Sequence, residues 1–161
     1  MNFKPIYLFS LTACLPLSCA SPPMVLAPVG PGPVINGASV PGKGDLQVYS
    51  ETEEYGDDMA VPFYPHKDYL IYNADGKRLK RVWNHRDIED EQPAIVTLAA
   101  GNYLVKAQAE FYGTVTVPVV IKQNQTTRVI LQPGWKPAKS LHRSQLVEIP
   151  KGYFVGWHAD Q

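Results

Sequence analysis

Between Asp45 and Leu131, apolar and polar residues alternate with a period of two, and nothing else in the sequence restricts the fold as much. The clearest stretch is Tyr103-Leu104-Val105-Lys106-Ala107-Gln108-Ala109-Glu110-Phe111. Tyr, Val, Ala, Ala and Phe fall on one face; Leu, Lys, Gln and Glu fall on the other. A helix would scatter these residues around its cylinder. A strand with one dry face and one wet face collects them.

Six more segments carry the same signal: 46–49, 69–72, 79–83, 94–98, 114–121 and 126–131. Asn73-Ala74-Asp75-Gly76 is a strong turn signal between two of them. Pro118 lies within 114–121, which predicts an edge strand or a bulge there. The expectation is an all-β fold: a seven-stranded antiparallel two-sheet sandwich over 45–132. Pro133-Gly134-Trp135-Lys136-Pro137 then breaks the pattern. Segments 145–149 and 153–157 flank Pro150-Lys151-Gly152 as a hairpin, making 133–161 a C-terminal extension. An isolated hairpin is marginal in water, so this one must pack on the sandwich or on a partner.

The only two cysteines, Cys14 and Cys19, both precede the domain. The domain therefore holds no thiol, no disulfide and no cysteine nucleophile. Lys4 followed by Ile6-Tyr7-Leu8-Phe9 has the charged and apolar parts of an export signal, too short to span a bilayer. A cysteine after small residues resembles a lipoprotein signal, in which that cysteine is acylated. Residues 1–19 are read as that signal, with Cys19 as the lipidation site and Cys14 as the alternative. Cleavage near Ala20 with a soluble, secreted or periplasmic product is the competing reading. Residues 20–44, rich in Pro and Gly, read as a tether. The alternative is that Met24, Val25, Leu26 and Val29 dock as an irregular arm.

Lys+Arg and Asp+Glu number 15 each, so no excess of positive charge would draw in nucleic acid. The acidic run Glu51, Glu53, Glu54, Asp57, Asp58 lacks the spacing of a calcium loop and reads as a solvated loop. His66, His85, His142 and His158 have no ligand-spaced partners. No metal, cofactor or catalytic residue is expected. Trp83-Asn84-His85-Arg86-Asp87 gathers polar and aromatic groups in one loop, read as surface or as a recognition patch. Among the aromatics, those left exposed could anchor a protein or stack on sugar rings. The candidate binding residues are Trp83, His85, Tyr64 and Trp157.

Three stretches carry a family resemblance. They are Gly44-Asp45-Leu46-Gln47-Val48, Val96-Thr97-Leu98-Ala99-Ala100-Gly101-Asn102-Tyr103-Leu104-Val105 and Thr126-Thr127-Arg128-Val129-Ile130-Leu131. Together they resemble transthyretin-like sandwiches, including carboxypeptidase regulatory-like and PEGA-type modules of bacterial envelope proteins; the PEGA tetrapeptide itself is absent. The resemblance implies binding, spacing or scaffolding rather than catalysis. The expected function is a lipid-anchored envelope module that binds a protein partner or acts as a spacer. A glycan- or peptidoglycan-binding module is the alternative, and a small hydrolase a lesser one. No acidic residue directly follows either cysteine, which by resemblance to lipoprotein sorting rules implies the outer membrane where the cell has one.

Overall fold

The computed structural model describes residues 23–33, 41–56, 61–84, 91–150 and 152–160. These form eleven strands: β1 Met24–Val25, β2 Val29–Gly30, β3 Lys43–Tyr49, β4 Tyr69–Asn73, β5 Arg78–Val82, β6 Ile95–Ala99, β7 Gly101–Ala109, β8 Gly113–Ile121, β9 Thr126–Ile130, β10 Leu146–Glu148 and β11 Phe154–His158. The eight-stranded sheet runs β10-β11-β2-β8-β7-β4-β5, with β1 also on β8; the three-stranded sheet runs β6-β3-β9. Their inner faces form one core. Leu46, Ile71, Val105, Val115, Val117 and Val129 are fully buried within it. Each such side chain contributes about 1.5–3 kcal/mol of burial.

The all-β sandwich is as the alternation requires, and each of the seven expected segments is a strand. The expected strand number and purely antiparallel pairing are corrected. β3 and β9 pair in parallel, with Asp45 opposite Thr126 and Tyr49 opposite Ile130. β1 and β2 also run parallel to β8. Gly44, at the start of β3, lies beneath the β8–β9 turn, where a β-carbon would collide with the Lys122 carbonyl.

The tether reading is corrected over 23–31, which are docked chain. Met24 pairs with Val115, Val25 with Thr116 and Val29 with Val119. Three arm residues, 26–28, therefore stand opposite two of β8, Val117 and Pro118. The bulge falls where proline has no N–H to donate to a ladder. β8 is thus an interior strand, and of the edge or bulge expected at Pro118 it is the bulge that the structure shows. The arm ends by bridging Pro31 to Thr127 of the other sheet.

β11 pairs with β2, and β10 with β11, so the C-terminal hairpin extends the larger sheet through the arm. Tyr153 Oη reaches the Leu131 carbonyl at 2.7 Å, and Tyr112 Oη reaches the Pro150 carbonyl at 2.9 Å.

Phe111 is also corrected. β7 ends at Ala109, and Phe111 sits in the turn to β8 at φ 69. It is 81% exposed, away from the dry face.

Candidate functional site

A groove opens where the arm, β9, β11 and the segment after β9 converge. Trp157 of β11 and Trp135 meet edge to face, with ring centroids 4.9 Å apart. Gly32 of the arm lies against the Trp157 ring, so close that a β-carbon there would stand 3.2 Å from three ring atoms. Arg128 and both tryptophans are shared by two adjoining hollows. One, of about 280 Å³, adds Pro33, Lys136, Pro137 and Leu141. The other, of about 500 Å³, adds Tyr49, Ile130, Gln132 and Pro133. Both are comparable with small-ligand pockets.

Among the described residues, Arg128 and Lys136 are the charged side chains lining these hollows, and no carboxylate lines either one. The indole N–H of Trp157 is buried without a hydrogen-bond partner among the described residues. Two cations, apolar ring edges and proline walls make a surface suited to an extended chain bearing negative charge.

The sequence candidates fall in separate places. Trp157 lies in this groove, half-buried. Trp83 follows β5 and is 61% exposed. The Arg81 guanidinium lies 4.3 Å from the Trp83 ring centroid and pairs with Asp68 at 3.0 Å. β5 and β11 stand five strand spacings apart, roughly 24 Å, so these tryptophans form no common platform. Tyr64 is exposed, and its backbone N–H donates to Glu91 Oε1 at 2.9 Å. His85, Cys14 and Cys19 lie outside the described residues.

Trp135, Arg128 and Lys136 were not among the sequence candidates. Arg128 resembles any outward-facing strand residue. Trp135 stood in a segment read only as a break, although a tryptophan outside the alternation needs somewhere to pack, and that was the available signal.

Asn84, placed by sequence in a surface loop, is 1% exposed. Its Nδ2 donates to the Val48 carbonyl at 2.9 Å, and its Oδ1 accepts from the Ala94 N–H at 2.9 Å. Ser50 Oγ donates to the Lys67 carbonyl at 2.5 Å, and His66 Nδ1 meets the Ser50 carbonyl at 2.6 Å. The hydroxyl and the imidazole are each committed to backbone, and no hydroxyl–imidazole pair forms between them. In the acidic run, Glu51 pairs with Lys67 at 3.1 Å; Asp57 and Asp58 lie outside the described residues. No group of three or more His, Cys, Asp or Glu among the described residues is placed to hold a metal.

The fold and groove define a β-sandwich of two mixed sheets whose terminal segments build a cation-rimmed tryptophan groove on one flank. The chain matches no protein-family model, no curated protein and no solved structure.

Proposed function

We propose that this chain is a bacterial envelope lipoprotein, acylated at Cys19 or alternatively Cys14, with a transthyretin-like sandwich serving as a non-catalytic binding module. Its site in the cell is the outer membrane where the cell has one. Its partner is a protein, taken as an extended, acidic segment in the groove at Trp135 and Trp157. The observation that carries this is the origin of the groove: the arm and the C-terminal segment, both outside the sandwich proper, converge to build it. Gly32 between Pro31 and Pro33 already lies on the Trp157 ring. That contact illustrates the kind of chain the indole accepts, and aromatic grooves of this type suit proline-compatible backbone.

A photo-crosslinking residue at Trp135, in cells making the full chain, tests the reading. A discrete protein adduct is expected there and none from the same residue at Gln123, in the β8–β9 turn. Lys136→Glu should lower its yield several-fold. Absence of a discrete adduct at 135 overturns the protein-binding reading. An adduct that collapses under muramidase moves the ligand to peptidoglycan, the glycan reading of the same tryptophans.

A further inference from the structure

We infer that the end of the sandwich carrying the β7–β8 turn rests on the bilayer that anchors the chain, with Phe111 entering the lipid interface. The inference builds on the acylation reading above, with Cys19 as the acylated residue. The arm enters beside the start of β8, with Met24 opposite Val115. Five residue steps separate Cys19 from Met24, a reach of at most about 18 Å. The far end of the sandwich, the β8–β9 turn at Lys122, lies seven residues up β8 from Val115, about 23 Å. Acyl chains on Cys19 therefore hold the near end to the membrane, not the far one.

That near end has the chemistry for contact. Phe111 is 81% exposed at its tip. Its φ of 69 is a conformation that turns normally give to Gly or Asn. A phenyl ring here sacrifices both backbone ease and burial, and a lipid interface compensates for the second. Val25, 63% exposed, and Trp83, 61% exposed, lie on the same half, opposite Thr116 and just past Val82, which pairs with Tyr69. Glu51 and Glu110 share this end, tied by backbone to Gln108 and Leu131. Beyond the Glu51–Lys67 pair, the carboxylate of Glu110 favours zwitterionic over anionic lipid and keeps insertion shallow.

The full acylated chain, reconstituted into phosphatidylcholine vesicles containing nitroxide lipid, tests this. An environment-sensitive fluorophore is placed through Glu110→Cys, or through Gln123→Cys as the far-end control. Quenching is expected at 110 and not at 123, and added phosphatidylglycerol should reduce it at low salt. Phe111→Gly should abolish most of the quenching at 110 while raising the thermal midpoint by about 2–4 °C, because glycine adopts that φ freely. A purely structural Phe111 would move neither quenching value. An acylated chain, verified by mass, that is equally unquenched at 110 and 123 overturns the inference and leaves the lipoprotein reading standing. Neither cysteine being acylated overturns both.

Discussion

Asn84 and His66 fix the start of the 51–66 excursion through polar contacts that no apolar side chain could replace. Asn84 ties β3 to the strand entering β6, and losing its amide would strand a carbonyl and an N–H, each costing about 1–3 kcal/mol. His66 is 4% exposed and packs edge-on to Tyr49 with ring centroids 5.4 Å apart. Burial pushes its pKa below the ordinary histidine value; the Ser50 carbonyl and Glu91 oppose that shift without reversing it. The folded state thus favours neutral imidazole, while the unfolded chain titrates near its usual value of about 6.5. Stability from this site is complete above that value and is lost as pH falls through it toward the lower folded pKa. Urea midpoints should therefore drop between about pH 7.5 and 5.5. His66→Asn should flatten that drop, and an unchanged slope in the variant would refute the assignment. The Tyr69 hydroxyl is also buried, has no hydrogen-bond partner among the described residues, and is held protonated by burial.

At the scale of elements, the arm is the keystone of the larger sheet. β2 stands between β8 and β11, so among the described residues the C-terminal hairpin joins the sheet through the arm, at Val29 and Gly30 and by the Ala159 N–H donating to the Pro28 carbonyl. Val29 is fully buried. Val29→Asp should cost on the order of 3 kcal/mol and speed amide exchange on β11 roughly a hundredfold. β7 and β8 should keep most of their protection; uniform loss across all strands, or no change, would contradict this order. The seven central strands were legible because polar and apolar side chains alternate along them, even in β3, where Asp45 and Gln47 are themselves buried. The arm was not, since Pro28, Pro31 and Pro33 erase any period and only a distant strand gives it a partner. Parallel pairing of β3 with β9 was equally hidden: it joins residues some eighty positions apart and leaves no local mark. Phe111 was misplaced because its turn uses a positive φ without the glycine that normally announces one. Of the groove, only Trp157 could be read, because its other walls come from segments with no pattern of their own.

At the scale of the molecule, the formal charge is zero but its distribution is not even. Glu51, Glu53, Glu54, Asp68, Glu91 and Glu110 belong to the β7–β8 turn end and the excursion that leaves it, and outnumber Lys67 and Arg81, which pair there with Glu51 and Asp68. Lys43, Lys77, Arg78 and Lys122 belong to the other end, where β3 begins and the β4–β5 and β8–β9 turns lie, against Asp45 and Asp75; Lys80 stands midway along β5. The edge strand β5 is thereby shielded from pairing by its cations, with Lys80 opposite buried Ile71. A neutral chain with opposite charge at its two ends attracts its own copies head to tail. Near its isoelectric point, about 6.9, no net repulsion opposes that. Such attraction acts across exposed charges and is screened beyond about 8 Å at physiological salt. The osmotic second virial coefficient from light scattering should therefore be negative at low ionic strength near neutral pH and rise as salt is added. Reversing Lys77 and Arg78 to Glu should make it positive at low salt, because both ends would then repel. A coefficient indifferent to salt in the parent chain would show that association, if any, runs through apolar contact such as Phe111, and Phe111→Gly would then be the variant that abolishes it.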